Sequence, residues 1–292
     1  MPLHCQEKWK IISGMPQEAV FLLKMGFLQG MGFLLKNSFV HKNSFAHKNG
    51  FVHKTWRTQA AQGKRTTDGK RILMQDLLTV TGLILKAEPI GEYDRRIVLL
   101  TRERGKIPAF ARGARRQNSR LMGPTSPLSF GEFKLYAGRS SYTVGEAFIS
   151  NYFETLRSDY EGSCYGMYFL EICDYCTREN NDEREQLKLL YQSLRALGAA
   201  GIPRPLVRYI VELRTIVTGG EFPGIPTYRQ WQESTRYAVS FIASAPVEKL
   251  YTFTVSPQVL AELGEIAGLL VRRFLDGNFK SLEILELLVE KP

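Results

Sequence analysis

A single basic stretch, residues 93–116, carries the side chains whose type and spacing are best suited to a chemical task. Eight cations crowd it, and only two carboxylates, Asp94 and Glu103, stand against them. An arginine presents a planar fork of donors that fits a phosphate and can also stack on a base. The stretch therefore predicts contacts to a nucleic-acid backbone without sequence readout, since it offers no Asn- or Gln-lined helix for a groove. The candidate contact residues are Arg95, Arg96, Arg102, Arg104, Lys106, Arg112, Arg115 and Arg116.

Three aromatic residues near these cations are candidates for stacking on bases: Tyr93, Phe110 and Tyr136. Phe110 lies in an apolar run, so we expect it to belong to a core. Alternation of polar and apolar residues places Tyr136 on the polar face of its strand, which makes it the favoured candidate.

Short strands must position these side chains. Apolar runs at 97–101 and 107–111 flank a tight turn, in which Gly105 supplies the positive φ that such a turn needs. Further strands are predicted at 79–86, 130–137 and 142–149, with Gly82 marking a bulge or bend. Five short strands with one longer connection at 112–128 predict an OB-fold barrel over residues 74–153, and that fold commonly binds oligonucleotides.

The rest of the chain, residues 154–292, changes to helical periodicity, so the predicted class is α+β with an all-helical second domain. Helices are predicted at 160–178, 182–197, 203–218, 257–276 and 281–289. Pro and Gly punctuate residues 219–256, which we interpret as an irregular insert. The helical domain carries more Asp and Glu than Lys and Arg, so it indicates a protein-partner surface more than a nucleic-acid surface.

Charge is distributed unevenly along the chain. The net charge is +10, but residues 1–73 carry 12 Lys and Arg against 3 Asp and Glu, whereas residues 74–153 carry 12 against 7. Residues 1–73 also repeat a hexamer of the type K-N-S-F-V-H, whose period matches neither a helix nor a solenoid. We interpret this extension as disordered or as a mis-annotated upstream region, with the native start at Met74.

Several classes of site are disfavoured. All four histidines precede Met74, so His-based catalysis or metal ligation is not expected in the body of the chain. Cys173 and Cys176 form half of a metal set at most, and we expect buried helical thiols. No nucleophile elbow or phosphate loop is present, so the sequence predicts a protein that is not an enzyme and has no cofactor.

The sequence also bears on localisation. No apolar run reaches the length of a membrane span. The four cysteines do not make a disulfide framework in a chain of this size, which favours a reducing, cytoplasmic compartment.

The motif Y-D-R-R-I-V-L-L-T-R-E-R-G-K-I-P-A-F-A-R-G-A-R-R (93–116) resembles the bacterial RecO family of recombination mediators. The resemblance continues through residues 121–136, 207–214 and 279–286. It implies binding of single- and double-stranded DNA, strand annealing, and partnership with RecR, with the acidic tail of single-strand-binding protein and, indirectly, with RecA. It implies an OB-fold, a helical bundle and often a zinc site of four cysteines after the helix at 204–218.

The sequence departs from the family at that zinc site, because residues 219–256 contain no cysteine. We predict no metal there and expect aromatic residues such as Phe222, Tyr228, Trp231 and Phe241 to hold the segment. Two other functions stay open: an OB-fold protein that binds RNA, and a scaffold whose basic barrel docks an acidic peptide.

Overall fold

The computed structural model describes residues 77–139 and 141–289, so the predicted extension, residues 1–73, lies outside the described residues. Within the described part, five strands close into a barrel and seven α-helices follow it. The predicted architecture, a five-stranded barrel followed by helices, is confirmed. The strands are β1 (Leu77–Ile90), β2 (Asp94–Thr101), β3 (Gly105–Ala111), β4 (Phe130–Ala137) and β5 (Tyr142–Asn151). The helices are α1 (Glu154–Arg157), α2 (Tyr160–Cys176), α3 (Arg184–Leu197), α4 (Arg204–Thr218), α5 (Glu233–Ser244), α6 (Pro257–Phe274) and α7 (Lys280–Val289).

The barrel closes because β1 is long enough to pair with two neighbours. Its first half pairs with β4 and its second half pairs with β2, both antiparallel, and the strand order around the barrel is β1-β2-β3-β5-β4. The register with β2 shifts between Ile84 and Lys86, which is the bulge that lets β1 bend. Gly82 lies near it, where a Cβ would come within 2.5 Å of the Leu100 carbonyl oxygen, so the position requires glycine.

Two hydrophobic cores meet at β1. Val80 and Ile84 point into the barrel, whereas Leu83 and Leu85 belong to the core of the helical region. A strand buried on both faces reads as a continuous apolar run, which explains the sequence L-I-L at 83–85. The barrel and the helices are therefore joined through shared apolar packing, and Phe130 of β4 reinforces it with its ring centroid 4.5 Å from that of Tyr191.

The prediction that residues 219–256 are irregular throughout is wrong, because α5 lies within them and a 3-10 turn follows at Val247–Lys249. Ala238, Val239 and Ile242 of α5 are buried. Their spacing is helical, but the prolines and glycines on either side of this short pattern favoured a loop.

Aromatic residues hold the same segment in place, as the sequence predicts. The Trp231 indole N–H donates to the Pro226 carbonyl at 2.6 Å, and the Tyr228 and Trp231 ring centroids lie 5.4 Å apart. Phe241 packs edge-on against Phe253 at 5.2 Å. No helix among the described residues is long and apolar enough to cross a membrane.

Candidate nucleic-acid interface

The eight predicted contact residues divide between the two ends of the β2–β3 hairpin. Strand β2 advances about 3.3 Å per residue, so Arg95 and Arg102 lie at its opposite ends, roughly 23 Å apart. Arg95, Arg96, Arg112, Arg115 and Arg116 lie at the open end of the hairpin, beside the β1–β2 turn. Arg102, Arg104 and Lys106 lie at or next to the β2–β3 turn. The structure does not gather all eight on one surface.

Lys106 is committed to the helical region. Its ammonium group donates to the Asp174 carbonyl oxygen at 2.5 Å and to the Asp174 carboxylate at 3.1 Å, and its side chain is only 19% exposed. The neighbouring Gly105, at φ 63°, is in the left-handed region as predicted, and a Cβ there would lie 2.5 Å from the Asn181 carbonyl oxygen. The β2–β3 turn thus docks against the α2–α3 connection.

The other two cations of that turn differ in whether they form an ion pair. Arg102 pairs with Glu103 at 2.9 Å, and the second carboxylate oxygen of Glu103 accepts the Thr81 backbone N–H at 2.8 Å. Arg104 is exposed. The turn therefore presents one arginine, Arg104, that forms no ion pair in the described part of the chain.

Arg95, at the open end, is used to fix the β3–β4 connection. Its guanidinium donates to the Met122 carbonyl oxygen at 2.7 Å and to the Thr125 hydroxyl at 3.2 Å. Burial, and then the nearby charge of Arg115, lower the pKa of Arg95. Since its Nη1 group is engaged by these acceptors, Arg95 orders the connection from which other arginines project.

The remaining four cations form an exposed set, which we call the cationic rim: Arg96, Arg112, Arg115 and Arg116. None of the four forms an ion pair with a carboxylate in the described part of the chain. Two acids beside the rim are engaged: the Asp94 carboxylate accepts the Gly113 backbone N–H at 2.7 Å, and Glu88, which lies opposite Arg96 in the β1–β2 ladder, binds Lys86 at 2.9 Å. The rim therefore carries positive charge that no ion pair among the described residues neutralises, which suits it to a polyanion.

The rim lies beside the two loops with which OB-folds contact oligonucleotides. Such barrels use the face of the second and third strands together with the β1–β2 and β4–β5 loops. Here the Arg115 backbone N–H donates to the Tyr93 carbonyl oxygen of the β1–β2 turn at 2.8 Å. The end of β3 pairs with the start of β5 at Ala109↔Tyr142, which brings the β4–β5 loop to the same end of the barrel. That loop contains Arg139, an exposed cation that the sequence reasoning missed, although its place between two predicted strands could have indicated it.

The three aromatic candidates are separated by the fold. Tyr93 stands in the β1–β2 turn at the rim, with the Arg116 guanidinium carbon 5.1 Å from its ring centroid. Phe110 is partly buried and lies opposite Arg96 across the β2–β3 ladder. Tyr136 is exposed, as predicted, but it is on β4, where it pairs with Leu77 and covers Gly145.

The cysteines of α2 show no sign of redox or metal chemistry. Burial raises the pKa of Cys173 to about 12 and that of Cys176 to about 11, so both are thiols at neutral pH, whereas reactive cysteines have lowered values. Cys173 is buried as expected, whereas Cys164 and Cys176 are only half-buried.

Comparison with known families bears on this geometry. Residues 74–153 match the family model described as recombination protein O, N terminal, and residues 157–224 match its C-terminal counterpart. The chain belongs to the RecO family. Among similar proteins, the DNA repair protein RecO of Acetivibrio thermocellus is 27% identical over 244 residues, covering 72% of this chain and 97% of that protein. RecO of Alkaliphilus metalliredigens is 26% identical over 71% of this chain and 98% of its own length. RecO of Symbiobacterium thermophilum is 35% identical over 45% of this chain and 53% of its own length.

The zinc site implied by the RecO resemblance does not fit this chain. Residues 219–256 contain neither cysteine nor histidine, and no group of three or more potential metal ligands is assembled among the described residues. The carboxylates facing the segment are already engaged: Arg229 binds Glu265 at 2.8 Å and lies 4.1 Å from the Trp231 ring centroid, and Glu262 accepts the Thr235 hydroxyl at 2.5 Å. We call these five residues, Arg229, Trp231, Thr235, Glu262 and Glu265, the Arg229 clasp.

Proposed function

We propose that this RecO-family protein binds single- and double-stranded DNA through the cationic rim and acts as a recombination mediator in the cytoplasm, without catalysing a reaction. In this role it promotes strand annealing and helps to load a recombinase of the RecA type onto strands coated by single-strand-binding protein. RecR and the acidic tail of single-strand-binding protein are the proposed protein partners.

The cationic rim is the observation that carries the proposal. Four exposed arginines that form no ion pair within the described residues lie at the loop end of a five-stranded barrel. Contacts of this kind displace condensed counterions from a nucleic acid, so they bind any sequence and weaken steeply with salt. The rim lies on strands and loops, which suits backbone contacts better than insertion of a reading helix into the major groove.

The test is a salt titration of DNA binding by fluorescence anisotropy, using the full chain and a single-stranded oligonucleotide. The variant R112A/R115A/R116A removes three proposed phosphate contacts, so the slope of log K against log salt should fall in magnitude by about 2. The matched control R102A/R104A removes two exposed arginines from the other end of the hairpin and should leave the slope unchanged. If the control loses slope and the rim variant does not, the rim is not the interface.

The RNA-binding alternative is separated by competition. Unlabelled DNA and RNA of equal length are added to the complex with labelled DNA, and RNA should compete no better than DNA. An annealing assay with two dye-labelled complementary strands then tests the mediator role, since the rim variant should lose annealing together with affinity.

A further inference from the structure

Tyr93 is the aromatic residue that the fold places within the cationic rim. Its turn is the point where the open end of the hairpin meets the β3–β4 connection. The residue is 43% exposed although Arg116 lies over the ring at 5.1 Å. One face of the ring is therefore supported by a cation, and ring surface remains for a second stacking partner.

The backbone around Tyr93 is fixed before any ligand arrives. The Tyr93 carbonyl oxygen accepts the Arg115 N–H at 2.8 Å, and the Arg115 guanidinium donates to the Gly91 carbonyl oxygen at 3.2 Å. Ala114, between the rim arginines, is fully buried in the barrel core. A ligand that stacks here would cost little ordering of the loop, which favours binding.

The other two aromatic candidates are less suited to the same task. Phe110, on β3, is partly buried. Tyr136, on β4, pairs with Leu77 and covers Gly145 of β5, so it lies outside the rim. Only Tyr93 among the three combines an exposed ring with adjacent rim arginines, Arg115 and Arg116. A base on the ring would leave its phosphates within the reach of those side chains.

We propose that Tyr93 and Arg116 form a nucleobase-stacking subsite that selects unpaired strands. This inference rests on the proposed function and adds a second kind of contact to it. A duplex encloses the faces of its bases within the stack, so it can use the rim arginines but not the Tyr93 ring. A single strand can use both, because every base has a face to offer and no particular sequence is required.

The test compares three ligands of equal length by anisotropy: a thymidine oligomer, the same oligomer with abasic positions, and a duplex. Replacing Tyr93 by alanine should weaken binding of the thymidine oligomer by about tenfold, the order found for base–aromatic stacking. Binding of the abasic oligomer and the duplex should stay within about twofold of the unsubstituted protein, since neither offers a base face. The Y93F variant should bind all three like the unsubstituted protein, because stacking needs the ring and not the hydroxyl. The salt slope should not change in Y93A, because stacking displaces no counterion.

Equal losses on all three ligands, or no loss on the thymidine oligomer, would overturn the stacking subsite. Its failure is distinct from failure of the proposed function. If the unsubstituted protein binds DNA and R112A/R115A/R116A loses binding while Y93A does not, only the subsite is refuted. If the unsubstituted protein binds none of the three ligands, the proposed function and the subsite are both refuted.

Discussion

Replacing Arg208 by alanine should be among the most damaging single changes to the helical region, because Arg208 is the cation beside a fully buried carboxylate. Glu212, one turn further along α4, has no exposed surface. One of its carboxylate oxygens accepts the Arg208 Nε–H at 2.8 Å and the Tyr168 hydroxyl at 2.7 Å. The other oxygen is buried without a described partner. Arg208 also reaches Glu286 on α7 at 3.3 Å, so it joins two helices.

The expected loss of stability in R208A follows from the buried Glu212 carboxylate that remains when Arg208 is removed. Removing one partner of a buried ion pair typically costs about 3–5 kcal/mol, because the remaining charge is desolvated and uncompensated. For a folded region of this size, 1 kcal/mol corresponds to about 2–4 °C in melting temperature, so R208A should melt roughly 10 °C lower. The matched control is Arg204 on the same helix, whose partners Asp159 and Glu161 are far more exposed than Glu212. R204A should lose less than about 1 kcal/mol.

The dependence on pH identifies the cause of the loss. Burial raises the pKa of Glu212, while Arg208 and the Tyr168 hydroxyl oppose that rise. Without Arg208 the pKa should rise further, so the folded state should hold the Glu212 proton more tightly than the unfolded chain does. Stability is then greatest below the unfolded pKa and falls as the pH rises towards the folded pKa. The R208A loss, measured by urea unfolding, should be smaller at pH 5 than at pH 7.5.

A second variant makes the reasoning refutable. In R208A/E212Q the uncompensated charge is gone and the amide oxygen can still accept the Tyr168 hydroxyl. This double variant should be more stable than R208A at pH 7.5, and its stability should depend less on pH. If R208A loses the same stability at both pH values, and E212Q restores none of it, then the buried charge is not the source of the loss.

Two further predictions concern the contacts that order the rest of the fold. K106A removes the contacts with Asp174, so it should lower the free energy of unfolding by about 1–2 kcal/mol in urea. The same variant should leave the DNA affinity, measured by anisotropy, unchanged. A loss of affinity as large as that of the rim variant would show that Lys106 belongs to the interface. R229A opens the Arg229 clasp and should lower the free energy of unfolding by about 1 kcal/mol, because the clasp is half-exposed. A chelator such as EDTA should leave the melting temperature unchanged, whereas a lowered value would show that a metal supports this segment.

Most strands and helices could be predicted from periodicity alone, with ends displaced by a few residues. The strand at 130–137 agrees with β4 at both ends, whereas β1 extends beyond the predicted 79–86 because its second half pairs with β2. Strand pairing with a distant partner is not visible in the local pattern. Helix α5 was missed for a different reason: its apolar pattern is short and lies between Pro226 and Pro246, where loop signals outweigh it.

The candidate site was predicted less completely, because a count of cations is only an upper limit on free charge. Of the two arginines at the start of β2, Arg96 forms no ion pair within the described residues, but Arg95 binds the 122–126 segment of the β3–β4 connection. Lys106 is occupied by the last turn of α2, 68 residues further along the chain. Neither set of contacts can be predicted from the neighbouring residues, because each is made with a segment that is distant in the sequence.

The division of the cations between the two ends, in contrast, was available from the hairpin itself. In an antiparallel pair, residues that precede the first strand lie beside those that follow the second, and the turn lies at the far end. Arg96 is therefore near Arg112 in space although 16 positions separate them, and Arg102 is distant from both. Their proximity in the sequence placed eight cations in one predicted contact set. The hairpin topology puts three of them, Arg102, Arg104 and Lys106, at the opposite end, and the contacts of Arg95 with the β3–β4 connection exclude it from the exposed set. The four that remain are the cationic rim, and their common position beside the β1–β2 turn is the reason to expect that they act together.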